Sequence, residues 1–144
     1  MSNQNYSNHA QLVKGYHGLL FFLLLAGFIG SIINLIESFN SNGNLYSASL
    51  ILLLFVCSFL AFYYLRVFAL RAQDRAIRAE ENLRYFVLTG KLLDNKLRMG
   101  QIIALRFAPD DELIELAKRA VNEKLSNKQI KQSIKNWKAD FNRV

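Results

Sequence analysis

Few side chains in this sequence could carry out catalysis or hold a metal or a cofactor. The two histidines, His9 and His17, lie near the amino terminus. A haem held between two helices would need a second histidine on the other helix, where residues 45–65 contain none, unless two copies of the chain shared one site. The single cysteine, Cys57, cannot form a disulfide or a cysteine-based zinc site within one chain. We therefore predict no catalytic, metal-binding or cofactor-binding residue, no cofactor, and a protein that is not an enzyme.

A cluster of arginines follows the second of two long apolar runs. Guanidinium groups near a membrane surface attract anionic lipid headgroups, at about 1 kcal/mol per basic residue. The predicted headgroup contacts are Arg66, Arg71, Arg75 and Arg78. Basic residues beside a span also set its orientation, so topology alone would explain much of this cluster.

Four lysines near the carboxyl end recur at spacings of three and four, which would place them along one side of a helix. These are Lys128, Lys131, Lys135 and Lys138. Such a basic face could bind anionic lipid or nucleic acid, or it could be solvated or meet the acidic start of the preceding helix. Base-specific recognition normally uses Arg, Asn or Gln side chains, so nucleic acid is the less favoured of these partners.

Small and apolar residues also recur at alternating spacings of three and four, a pattern typical of helices that pack against another helix. We call these residues the alanine stripe: Ala69, Ala72, Ala76, Ala79, Leu83 and Phe86. Alanine lets two helices approach closely. The stripe could pack against the carboxyl-terminal helices of the same chain, or it could contact a second copy or another protein.

The elements that position these residues begin with two uncharged apolar runs, 18–36 and 45–65. As helices they would be about 28 and 31 Å long, which matches a hydrocarbon core of about 30 Å. We predict a transmembrane hairpin over residues 18–65, with an amino-terminal segment of residues 1–17 before it and a polar outer loop at 37–44. Lys14 and Glu37 are the charged residues before Arg66, so the net charge of +7 comes from the second half.

The orientation of the hairpin follows from its flanks. Lys14 precedes the first run and four arginines follow the second, whereas the loop between them has no basic residue. Under the positive-inside rule, both termini should lie in the cytoplasm. Membrane lipid is then an obligatory partner.

The sequence after the hairpin predicts one long helix. Residues 66–89 contain no glycine or proline, so the second span should continue to Gly90, which is typical of a helix end. Within this helix, Glu80 and Arg84 stand four residues apart in the order that favours an ion pair.

Residues 91–144 predict a small three-helix bundle, so the whole fold is all-α. The first of these helices should span about 94–107 and the second 110–124, with acidic residues at its start that suit the helix dipole. The third should begin at Ser126, where Ser126 and Gln129 form a capping box. Its apolar side is predicted to be Ile130, Ile134, Trp137 and Phe141.

Much of the chain also resembles a known group of membrane proteins. The resemblance is carried by residues 45–54, 66–84, 88–93, 101–109 and 134–140. These stretches are similar to small two-span inner-membrane proteins of unknown function in Bacteroidota, some of which carry the label of an ABC transporter permease. The resemblance implies a membrane hairpin but supplies no activity and no catalytic residue. The permease label has no support, because two spans cannot form a permease alone.

These observations favour a non-enzymatic accessory or scaffold protein of the inner membrane. Its cytoplasmic helical part should associate with itself, as a homo-oligomer, or with a larger membrane complex, through the alanine stripe. The alternative is a membrane-tethered module that binds anionic lipid or, less favoured, nucleic acid. No small-molecule substrate is indicated.

Overall fold

The computed structural model describes residues 4–6 and 12–140, and every element of regular structure in them is helical. A π-helical segment, Lys14–Leu20, leads into α1, Phe21–Asn40. The remaining helices are α2, Leu45–Thr89; α3, Met99–Leu105; α4, Asp110–Asn122; and α5, Asn127–Ser133. The predicted all-α fold, with two long apolar helices followed by smaller ones, is confirmed. The described residues fall into two compact units, the span unit of residues 12–69 and the helical unit of residues 4–6 and 70–140.

Two helical stretches of the chain, Lys14–Asn40 and Leu45–Thr89, are long and apolar enough to cross a membrane. They contain the two predicted spans. The turn between them is shorter than the predicted loop at 37–44, because α1 continues through Asn40. Asn42 has a positive φ of 52°, the Gly43 N–H bonds to the Ser38 carbonyl at 2.9 Å, and the Asn44 side chain accepts the Ser47 N–H at 3.0 Å. The Asn42-Gly43-Asn44 turn therefore closes one helix and begins the next.

Within the span unit, one small residue lets the two long helices approach. A Cβ added at Gly27 would lie 2.2 Å from the Phe55 ring, whereas one at Gly30 would meet nothing within 4 Å. At the end of the hairpin away from the turn, the Tyr16 ring stacks on the Phe62 ring with 4.2 Å between ring centres. The Tyr16 hydroxyl donates to the Phe62 carbonyl. Packing of the first span against the second thus uses the Gly27 side of the helix.

Helix α2 continues without interruption from the span unit into the helical unit, as the sequence predicts. It ends where Gly90 adopts a positive φ of 70° and its N–H bonds to the Phe86 carbonyl at 2.7 Å. A left-handed conformation of this kind is readily adopted by glycine, which lacks the Cβ that would clash there.

The core of the helical unit forms where α3 packs on both α4 and α5. Its larger apolar side chains are Ile77, Leu93, Leu97, Ile102, Leu105, Leu113, Leu116, Leu125 and Ile130. Phe107 is fully buried and its ring stacks on Trp137 at 4.6 Å. The first turn of α4 carries three acidic residues, as predicted, and the Ser126–Gln129 capping box is present at the start of α5.

Two predicted helix boundaries are wrong. Helix α3 begins at Met99 rather than near residue 94, because Asp94 instead forms a turn in which its side chain accepts the Lys96 N–H. Helix α5 ends at Ser133 rather than continuing past Trp137. The Glu112 carboxylate accepts the N–H groups of Lys135 and Asn136 at 2.9 and 2.8 Å, which holds this segment in a non-helical path. Phe141 lies outside the described residues.

Candidate functional site

The helical unit packs on one face of α2. Ile77 and Glu81 are 3% and 5% exposed, and Tyr85 packs against the apolar core. These residues are spaced by four, so they form one face of the helix. The same spacing places the alanine stripe on a different side.

Arg84 joins this face of α2 to the rest of the helical unit. Its guanidinium bonds to Glu81 Oε2 at 3.1 Å and to Asp110 Oδ1 at 2.6 Å, and it donates to the Ala108 carbonyl at 2.8 Å. The predicted pairing of Arg84 with Glu80 is therefore wrong, because the buried Glu81 and the start of α4 hold the guanidinium instead. Within the described part of the chain, Glu80 forms no ion pair.

The alanine stripe is exposed along its whole length. The four alanines are exposed, and Leu83 and Phe86 are 64% and 49% exposed. Val87, next to Phe86, is 74% exposed and widens the apolar surface at this end of the helix. Of the two explanations for the stripe, packing against the chain's own carboxyl-terminal helices is wrong, because those helices cover the Ile77–Glu81 face. Its role as a contact with another molecule stays a prediction.

The arginines predicted to contact lipid lie along α2. Arg71, Arg75 and Arg78 are exposed, and Arg66 is partly buried. Arg71, Arg75 and Arg78 make no ion pair with any residue that the structure describes. Their guanidinium groups are accessible to an anion.

The four predicted lysines do not share one helix side. Lys128 and Lys131 lie on α5, but Lys135 and Lys138 follow its end. Lys131 Nζ lies 5.4 Å from the centre of the Phe107 ring, and the Lys138 N–H bonds to the Phe107 carbonyl. The predicted basic face is thus divided, and its carboxyl-terminal half belongs to the segment held by Glu112. One predicted role of this face was contact with the acidic start of α4. The contact seen there joins the backbone N–H of Lys135 to the Glu112 carboxylate and does not involve the Lys135 ammonium group.

Glu112 should be necessary for the path of residues 134–140. Replacing Glu112 by Ala removes the acceptor for two backbone N–H groups, and hydrogen bonds to a charged group contribute about 1.5–3 kcal/mol. We expect faster tryptic cleavage after Lys135 and Lys138 and a red shift in Trp137 fluorescence. Glu115→Ala, at an exposed position of the same helix, is the control. Equal cleavage of the two variants would show that Glu112 does not hold the segment.

Several polar residues that the sequence did not single out organise the helical unit. The buried Gln101 donates to the carbonyls of Leu125 and Ala120 at 2.8 and 3.3 Å and accepts the Arg98 N–H at 2.8 Å. Gln4 makes two hydrogen bonds with the backbone of Asp140, at 2.7 and 3.1 Å. Gln101 could have been found from the sequence, because it occupies the third position of α3, where a glutamine side chain can cap the start of the helix. No sequence pattern points to the contact of Gln4.

The described residues show little chemistry of the kind that enzymes use. They contain no group of three His, Cys, Asp or Glu side chains that could hold a metal. The His17 ring nitrogen Nδ1 lies 3.1 Å from both the backbone nitrogen and the carbonyl oxygen of Val13, and His9 lies outside the described residues. A depression of about 280 Å³ beside Tyr85 is lined by Lys91, Asp94 and Lys118 among others. A second, shallower one of about 520 Å³ brings Arg98, Lys128 and Lys131 near Tyr6.

One ion pair on α4 changes the titration of its members. The Arg119 guanidinium hydrogen-bonds to Glu123 and lowers the pKa of that carboxyl, and the carboxylate raises the pKa of Arg119. Both groups are exposed and one helical turn apart. Such pairs stabilise a helix slightly and do not indicate a site.

The comparison with known proteins places the chain in one family. No curated protein and no solved structure matches it. The family described as "Family of unknown function (DUF6526)" matches residues 1–144, which is the whole chain. The expected membership of a family of unknown function is confirmed, and the chain belongs to the DUF6526 family.

Proposed function

We propose that this protein is a non-enzymatic accessory or scaffold protein of the bacterial inner membrane. Its two spans anchor a cytoplasmic helical unit, which associates with itself or with a partner membrane complex through the alanine stripe. The observation that carries the proposal is the exposure of Leu83 and Phe86 on α2, at 64% and 49%, although the helical unit packs on another face of the same helix. Exposed apolar surface of this kind marks contact sites when it is contiguous.

The membrane part of the proposal has three supports. Each of the two long helices contains a strongly apolar stretch of 18 residues, and almost none of that stretch is buried within the protein. Basic residues flank the spans at one end and are absent from the turn. Finally, Gln4 hydrogen-bonds to the backbone of Asp140, so these two residues lie on the same side of any membrane that the hairpin spans, which fits a two-span protein with both termini in the cytoplasm.

Ala76 is the position at which a change should disturb assembly most. Replacing Ala76 by Leu adds three carbon atoms at the middle of the stripe, where close approach of a partner leaves no room for them. We expect the native mass in mild detergent to fall to that of the single chain. Ala76→Ser keeps the side chain small and should leave the native mass unchanged. An unchanged mass in both variants would argue against the stripe as the contact.

A second candidate is a module that binds anionic lipid, and the exposure of Arg71 and Arg78 favours it. Replacing both arginines by Gln should remove about 1 kcal/mol of lipid attraction for each. The measurement is the rise in thermal stability of the purified full chain when phosphatidylglycerol is added to a neutral detergent. The Lys118→Gln/Lys124→Gln variant is the matched control, because it removes two exposed positive charges outside the predicted lipid contacts and the basic face. An equal rise in the arginine variant and the parent would count against this function, and nucleic acid has less support because the lysine face is divided.

A further inference from the structure

We infer that the occupant of the exposed α2 face is a second copy of this chain, packed parallel and in register with the first. The inference rests on the proposed function and deepens it, because it names the partner. The surface consists of the apolar patch Leu83, Phe86 and Val87 and of two charged residues, Arg75 and Glu80. These two residues flank the alanine stripe on the amino-terminal side of the patch.

The apolar patch is largely left uncovered by the part of the chain that the structure describes. Leu83, Phe86 and Val87 are 64%, 49% and 74% exposed, and their spacing of three and four places them together on α2. Burial of such apolar side chains is favourable by about 25 cal/mol of free energy for each Å² of surface removed from water. The patch therefore favours an apolar partner surface of similar shape, which a copy of itself supplies.

The helical unit leaves room for that copy. Ile77, Glu81 and Tyr85 of α2 face the core of the unit. In the seven-residue repeat that contains the stripe, these positions lie opposite the stripe. A second helix can therefore approach the stripe without meeting α3, α4 or α5 of the first copy.

The two charged residues beside the stripe specify a copy of this chain in a parallel arrangement. Arg75 and Glu80 are both exposed, and neither forms an ion pair within the described residues. When the stripe is assigned to the a and d positions of a seven-residue repeat, Ala76 is an a residue and Ala79 is a d residue. Arg75 then occupies the preceding g position and Glu80 the following e position. In a parallel pair of helices, a g residue faces the e residue five positions later on the other helix, so Arg75 of each copy would meet Glu80 of the other.

Membrane insertion imposes the same arrangement. Two copies of one chain insert with the same orientation, so their α2 helices run in the same direction. A two-fold axis between them then gives a closed dimer in which each surface is used once. An antiparallel pair would instead place g residues opposite g residues and e residues opposite e residues, so Arg75 of one copy would no longer face Glu80 of the other.

Cysteine cross-linking tests the face. In a Cys57→Ser background, Ala79→Cys places a thiol on the stripe, and Arg78→Cys places one on the neighbouring residue that points away from it; both positions are exposed. Oxidation of native membranes should link Ala79→Cys chains into a species of twice 16.6 kDa, at least about fivefold more than Arg78→Cys chains. Equal linkage at the two positions would overturn the assignment of the face.

Charge reversal tests the register and orientation. Arg75→Glu or Glu80→Arg alone places like charges opposite each other twice per dimer and should lower cross-linking through Ala79→Cys about 3–10-fold. The double variant Arg75→Glu/Glu80→Arg restores both pairs and should restore the yield. Loss in the double variant as well would overturn the parallel register.

The same experiment separates the inference from the proposed function. Linkage of Ala79→Cys to a chain of different mass would overturn the second copy as occupant, but the stripe would still be a protein contact. No linkage to any protein, with the thiol freely alkylated by a water-soluble maleimide, would overturn both.

Discussion

Replacing Arg84 by Met should destabilise the helical unit by about 3 kcal/mol, a large part of the 5–15 kcal/mol typical of a domain. Arg84 neutralises Glu81, whose side chain is 7% exposed, and it also bonds to Asp110 and the Ala108 carbonyl. Met keeps much of the apolar stem but leaves the Glu81 carboxylate buried without a counter-charge. Removal of one partner of a buried ion pair is far more costly than removal of both.

The measurement uses the single tryptophan, Trp137, which lies in the helical unit and therefore reports on its unfolding alone. Urea titration of the full chain in mild detergent, followed by Trp137 fluorescence, gives the free energy of unfolding. Arg78→Met is the matched control, because it makes the same change at an exposed position of α2 and should cost less than about 0.5 kcal/mol. The double variant Arg84→Met/Glu81→Met should recover part of the loss. Equal stability of the Arg84 and Arg78 variants would show that Arg84 does not join α2 to the unit.

Replacing Leu105 by Ala should cost about 2–5 kcal/mol of the stability of the same unit. Leu105 is fully buried in the core that α3 forms with α4 and α5. The substitution removes three carbon atoms from a packed interior and leaves a cavity, so both the burial of apolar surface and its dispersion contacts are lost.

Leu92→Ala provides the comparison for Leu105→Ala. It deletes the same atoms from a side chain that is 66% exposed, and it should change the free energy of unfolding by less than about 0.5 kcal/mol. Trp137 fluorescence in a urea titration again gives both values. If Leu105→Ala unfolds at the same urea concentration as Leu92→Ala, the core described for the helical unit is incorrect.

The sequence by itself determined the helical character of the chain and several helix ends. The length of α2 follows from the absence of glycine and proline over residues 66–89, and its end follows from Gly90. The start of α5 follows from the Ser126 capping box. Each of these features depends on residues within about four positions along the chain, so local hydrogen bonding and backbone conformation suffice to predict it.

The tertiary structure decided which side chains those helices bury and which they leave exposed. The alanine stripe had two explanations in the sequence, and only the packing of the helical unit on Ile77 and Glu81 shows that its own helices do not cover it. Arg84 has an acidic residue four positions before it, yet it bonds to Glu81 and to Asp110, 26 residues away.

A contact between distant residues, rather than local helix formation, also decided where α5 ends. A continued helix would satisfy the N–H groups of Lys135 and Asn136 locally, but the Glu112 carboxylate accepts them from across the unit. Gln4 reaches Asp140, 136 positions along the chain. The pattern of residues within one helix cannot predict such contacts, because they depend on which distant groups the folded chain brings within hydrogen-bonding distance and on what their burial costs.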